Sequence, residues 1–274
     1  MEWKKLKNII LLVLLGLNLA LGILIGGPAL TDAYREKQAE EEAVQFLENK
    51  GISMSEVTIP KTDVLTPCIA VRDLEQESRL AVALLGTDVV QTGRGGEVYR
   101  YTSPRGSIQF HSDGTFWARL TPGEFPVGTS PETAVLELLK LLEFEGEVID
   151  YPGEIAFTVF AHQMWEGARL FNQQVLVRWE DTGVAEIISA SRLFGKPEQD
   201  PARRSITGAT ALIGFYHELN RLGDVCRRVD SIDCGYVCAV TLARQMELTP
   251  VWRITTDTET YQMDLVTGAL TRID

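Results

Sequence analysis

Apolar residues in this chain fall into one long block and many short ones. The block is Ile9 to Leu30, in which Asn18 is the one strongly polar side chain, and Lys4, Lys5 and Lys7 stand just ahead of it. As a helix it would rise roughly 33 Å against a hydrocarbon core of about 30 Å, so the pattern predicts a transmembrane helix over 9–30. A cleaved signal peptide is the competing reading. Its apolar core is normally about 7–15 residues long, and the small-residue triplet Ala20-Leu21-Gly22 sits inside the block, which favours an uncleaved anchor. Behind the span, Arg35 and Lys37 are balanced by Asp32, Glu36 and Glu40. The positive-inside rule then puts residues 1–8 in the cytoplasm and 31–274 outside, as expected of a single-pass cell-membrane protein with an extracytoplasmic C-terminal domain.

Beyond the block the pattern breaks into short elements. From Asp32 to Lys50, Ala39, Ala43, Phe46 and Leu47 recur at helical spacing, with Gly51 as the stop. Met54 to Pro60, Cys68 to Asp73 and Arg79 to Leu85 read as short strands, and Thr87 to Gly96 reads as turn. Ser107 to His111 and Thr115 to Leu120 form a hairpin about Ser112-Asp113-Gly114. Three prolines between Pro122 and Pro131 mark a boundary between lobes 31–126 and 127–274. Thr129-Ser130-Pro131-Glu132 then starts a leucine-rich, buried helix. Strands follow at Ile155 to Ala161, Phe171 to Trp179 and Val184 to Ala190, with a surface loop from Gly195 to Arg204. A second amphipathic helix runs from Ser205, carrying Ala209, Leu212, Ile213, Tyr216 and Leu219, and ends near Gly223. Cys226 to Val229, Tyr236 to Leu242, Pro250 to Thr255, Tyr261 to Leu265 and Ala269 to Ile273 read as strands. A helix precedes a hairpin three times, with turns at Ser112-Asp113-Gly114, Asp181-Thr182-Gly183 and Val266-Thr267-Gly268. The fold class expected is α+β, antiparallel sheets with helices packed on one face.

Charge narrows the partners. The chain has 26 Lys+Arg against 38 Asp+Glu, a net charge of −12, which disfavours nucleic acid. Its four cysteines, Cys68, Cys226, Cys234 and Cys238, are too few for a disulfide scaffold at this length, although Cys226 could pair across a hairpin with Cys234 or Cys238. Adding His217 gives only half of a zinc pattern, so no metal is expected. Gly93-Arg94-Gly95-Gly96 lacks the spacing and the Lys-Ser/Thr end of a phosphate loop. His111, His162 and His217 lie in separate segments, and no nucleophile elbow is present. The carboxylate pairs Asp230/Asp233 and Glu143/Glu145 read as solvated turns, and Trp117, Trp165, Trp179 and Trp252 as packing residues. No catalytic residue, cofactor or small-molecule substrate is expected.

Several segments carry a family resemblance. The opening Met1-Glu2-Trp3-Lys4-Lys5-Leu6-Lys7 running into the span resembles YycI-type regulatory proteins of Gram-positive bacteria. So does Trp165-Glu166-Gly167-Ala168-Arg169-Leu170-Phe171-Asn172, although Arg169 stands where that family often has proline. Pro250-Val251-Trp252-Arg253-Ile254, with Tyr261, Asp264 and Thr267-Gly268, is similar to the closing hairpin of that family and of PepSY-type modules. The resemblance implies a membrane-anchored, non-enzymatic regulator of a cell-wall-related sensor histidine kinase, acting with a YycH-like sister protein. An envelope-peptidase binding or inhibiting PepSY-like module is the alternative it permits. Within the expected span, Asn18, Gly22 and Gly26 are four residues apart and so share one helix face, which predicts a transmembrane contact with a partner helix.

Overall fold

Two devices fix the helices. In the computed structural model, which describes residues 14, 34–54, 57–62, 65–93, 95–125, 131–149, 158–180 and 183–273, each well-capped helix begins where an oxygen-bearing side chain can take an orphan N–H. Helix α1 covers 34–49 and buries Ala43 and Leu47. Helix α2 (Leu74–Leu85) starts at Asp73, whose carboxylate accepts from the Gln76 N–H at 2.9 Å, and it buries Leu80, Ala81, Leu84 and Leu85. Sequence reading placed a strand over part of this segment, because a short apolar run has the same local pattern in either conformation. Helix α3 is Pro131–Leu141. Helix α4 (Gly208–Leu222) is capped by Thr207 and closed by Gly223, which takes the left-handed conformation at φ 76°.

After β1 (Cys68–Val71), each of the next three helices is followed by a four-stranded antiparallel meander. Helix α2 precedes β2 (Val90–Gly93), β3 (Tyr99–Ser103), β4 (Gly106–Phe110) and β5 (Thr115–Leu120). Helix α3 precedes β6 (Gly146–Ile149), β7 (Thr158–Trp165), β8 (Ala168–Glu180) and β9 (Gly183–Ser191). After β10 (Pro197–Gln199), helix α4 precedes β11 (Val229–Val240), β12 (Gln245–Thr256), β13 (Thr260–Asp264) and β14 (Leu270–Ile273). Helices α2 and α3 share one core with the first two meanders, while α1 and α4 cover the third. A third core joins β1 to the Tyr236–Cys238 and Met246–Leu248 ends of β11 and β12.

The expected set of antiparallel sheets is corrected to one mixed sheet, of fourteen strands among the described residues. The first two meanders join antiparallel through β5 and β9, but the second and third join parallel, with Gly235 opposite Arg169 and Tyr236 opposite Leu170. The single membrane span and the single-pass localisation built on it are corrected as well. Among the described residues no helix is long and apolar enough to cross a membrane. The expected span 9–30, apart from Leu14, lies outside the described residues, as do Asn18, Gly22, Gly26 and the lobe boundary at 126/127.

The parallel junction is short and depends on two side-chain devices. Gly235 lets β11 pass close to β8: a Cβ there would collide with the Arg169 carbonyl oxygen and the Phe171 ring. Beyond the two paired residues, β8 bulges. Its register with β7 passes from Gln163 opposite Leu170 to His162 opposite Gln174, leaving Phe171, Asn172 and Gln173 outside the ladder. The Asn172 carboxamide then stands in for a strand backbone. Its Oδ1 accepts from the Cys238 N–H at 2.8 Å and its Nδ2 donates to the Cys238 carbonyl at 2.6 Å. Removing that amide leaves two backbone groups of a buried residue unpaired, so Asn172→Ala is expected to cost about 1–3 kcal/mol. Gly235→Ala should cost at least as much. Denaturant unfolding checks both, and an unchanged midpoint in either variant would contradict the junction as described.

Candidate protein-binding site

The residues with chemical potential are held apart by the fold. His111 follows β4, with its Nε2 2.8 Å from Gln109 Nε2; His162 lies buried in β7, edge-on to Phe160; His217 sits on α4 beside Tyr216. Cys68 is on β1, Cys226 precedes β11, and Cys234 and Cys238 lie within β11, all four as free thiols. Burial pushes the thiol of Cys226 up to about 11 and that of Cys238 to about 12, which keeps them protonated and poorly nucleophilic at neutral pH. Asp230 pairs with Arg228, and Glu143 accepts from Gln76. Trp252 is fully buried in the third meander's core, while Trp117 lies beneath the Arg100 guanidinium. Among the described residues, no three His, Cys, Asp or Glu side chains group in a way that would hold a metal.

The sheet edges differ in a way that sequence reading missed. Among the described residues four strands end the sheet or its branches: β2, β6, β10 and β14. Natural sheets protect such edges with charge, proline or brevity, because an unpaired row of N–H and C=O groups templates pairing with another chain. Strand β6 carries Glu147, ion-paired to Arg169; β10 has three residues including Pro197 and Glu198; β14 carries Arg272, paired with Asp224. Strand β2 is as short as β6 and β14, at four residues, but carries neither charge nor proline. Its sequence is Val90-Gln91-Thr92-Gly93, all four residues are exposed, and Val90 keeps 60% of its surface. Among the described residues it is held from one side only, by antiparallel pairing with β3. Chemically, this edge can accept an extended segment in β-pairing, with main-chain bonds supplying affinity and alternate side chains the selectivity.

No family model and no curated protein matches the chain. Among solved structures it is similar to an uncharacterized protein from Eubacterium rectale ATCC 33656, at 13% identity and a TM-score of 0.41, over 80% of this chain and 90% of that one. It is also similar to the Bacillus megaterium YpeB C-terminal domain, at 13% identity and a TM-score of 0.38, over 75% of this chain and 99% of that domain. At this level of likeness no function passes to this chain from either structure.

His162 gives this region a measurable pH signature. Burial, reinforced by the nearby charges of Arg169 and Arg253 and opposed by Glu147, lowers its pKa from 6.5 to about 4. The unfolded chain therefore binds a proton that the folded protein refuses between those values, and stability falls as pH drops from about 6.5 to about 4. The slope is at most about 1.4 kcal/mol per pH unit. Unfolding at a series of pH values should show this loss, and His162→Gln should flatten it. An equal slope in the variant would contradict the assignment.

Proposed function

We propose that the protein is a regulatory binding module, without a catalytic step of its own, that takes an extended segment of a partner protein as an added strand beside β2. The observation that carries this reading is the contrast among the edges: β2 is uncharged and wholly exposed, whereas β6, β10 and β14 are guarded. The partners implied by the YycI-type resemblance, a sensor histidine kinase and a YycH-like sister protein, are the specific form of the proposal. Buried, protonated thiols and a buried, neutral histidine fit a protein that works by contact.

Lysines placed on the edge test it. Val90→Lys with Thr92→Lys would supply the protection that β2 lacks and leave the core untouched, so the unfolding midpoint should stay within about 2 °C of the parent. Calorimetric titration with the sister protein or the kinase should show binding to the parent and loss of at least tenfold in affinity in the variant. Undiminished binding by the variant would remove β2 from the contact, and no binding by the parent to either protein would contradict the partner assignment. A parent that instead dimerises through this edge, with the variant monomeric, would replace the partner segment by a second copy.

A further inference from the structure

Side chains alternate across a strand, so the pairing registers fix which face of the sheet each residue serves. Leu170 stands opposite both Tyr236 and Gln163. It thereby joins the face that holds Val159 and Ala161 under α2 and α3 to the face that holds Ile232, Trp252 and Ile254 under α4 and α1. All four helices lie on one side of the sheet. Among the described residues, none covers the other side.

That bare side is not built as an ordinary solvent face, where polar residues would stand. Phe160 is opposite Leu176, and Leu176 is opposite Ile188. Trp117, on the next strand, points the same way, because its neighbours Phe116 and Ala118 point into the core. Four apolar side chains from four adjacent strands thus form a row about 14 Å long. Each is only partly buried.

A charged row runs beside it, two residues further along the strands, where Arg119 and Arg178 both stand opposite Glu186. Arg119 Nε and Arg178 Nη2 lie 2.8 and 2.7 Å from the two carboxylate oxygens. The Glu186 side chain keeps 16% of its surface, whereas Arg119 keeps 75% and Arg178 keeps 42%. The acid therefore lies beneath, and the cations face outward. Arg100 adds a third guanidinium, laid over the Trp117 ring at 5.5 Å and in no ion pair among the described residues. Three arginines to one glutamate reverse the sign of a chain whose net charge is −12.

We propose that this face docks an amphipathic helix of a partner protein, with the helix's apolar stripe on the Trp117 to Phe160 row and acidic residues along one flank meeting Arg119 and Arg178. Charge complementarity selects the occupant. An uncharged partner would desolvate two guanidinium heads without a counter-charge, and a second copy stacked through this face would set its arginines against each other. Dimensions agree as well. The two rows are about 6.6 Å apart, close to the half-width of about 5 Å that separates a helix's flank from its contact line. Helices already close the apolar rows on the covered side. This surface is separate from the β2 edge, since β3 and β4 lie between β2 and the Trp117 strand, and it works through side chains rather than main-chain pairing, so either contact can fail without the other.

Fluorescence anisotropy with the purified full chain tests the proposal. The probes are a stapled helical peptide carrying a leucine stripe flanked by glutamates, and the same peptide with glutamine or lysine in place of glutamate. The glutamate peptide should bind saturably, more weakly as salt rises, and at least tenfold more tightly than the other two. Arg119→Gln leaves the Arg178 to Glu186 pair in place and should weaken binding at least threefold; adding Arg178→Gln should bring the loss to at least tenfold. Should the double variant fail to fold, Arg119→Gln alone carries the test. Arg227→Gln, which removes an exposed charge ahead of β11, should bind as the parent does. The proposal is overturned by no saturable binding of the glutamate peptide, by equal binding of the glutamine peptide, or by undiminished binding to Arg119→Gln. Tighter binding of oligothymidylate or of phosphatidylglycerol vesicles would also overturn it, making the face a nucleic-acid or membrane contact, as would a dimer of the parent that Arg119→Gln dissociates.

Discussion

The close approach of β11 to β8 is the contact on which the rest of the architecture depends. Only two residue pairs make the parallel ladder there, Gly235 with Arg169 and Tyr236 with Leu170. Yet this ladder, with the Asn172 amide holding the Cys238 backbone, is what makes one sheet of the second and third meanders. A parallel pair cannot be closed by a tight turn, so its partners must come from distant parts of the chain. Gly235 makes the approach possible, and the bulge at 171–173 releases Asn172 to complete the pairing. The Ser191 hydroxyl ties the bulge back by donating to the Asn172 carbonyl at 3.0 Å.

That junction also explains why three similar units differ in what they bury. The first two meanders face a common core with α2 and α3, while the third has α4 and α1. Strand β12 serves two cores with one face: Met246 and Leu248 pack against β1, and Trp252 and Ile254 pack beneath α4. The segment after β9 closes the space between these assemblies, and its main-chain bonds to Gly114 and Asp73 place Arg192 where they meet.

Much of the local structure was legible in the sequence. Helix α4 could be read from its apolar spacing and its end at Gly223, the hairpins from the turns Asp113-Gly114, Thr182-Gly183 and Thr267-Gly268, and the preceding helix for the second and third of them only. What escaped was whatever depends on distant partners. Asp230 and Asp233 read as a solvated turn, so Cys226 to Val229 and Tyr236 to Leu242 read as two strands where β11 is one from Val229 to Val240. Helix α2 escaped because Leu80 to Leu85 is apolar on too short a span to declare its period. Strand β2 lay hidden in a turn-rich segment, since an uncharged edge has no apolar alternation.

The proposed function rests on a single property, an edge able to take another strand. Of the guarded edges, β14 is held by the Arg272–Asp224 pair and β6 by Glu147 with Arg169, so an added strand would have to displace those ions. Among the described residues β2 carries no such ion pair. Amide hydrogen exchange reads this difference directly. With the partner protein added, exchange should slow in the peptide spanning β2 and β3 and stay unchanged in those covering β6, β10 and β14; protection at a guarded edge with none at β2 would contradict the account.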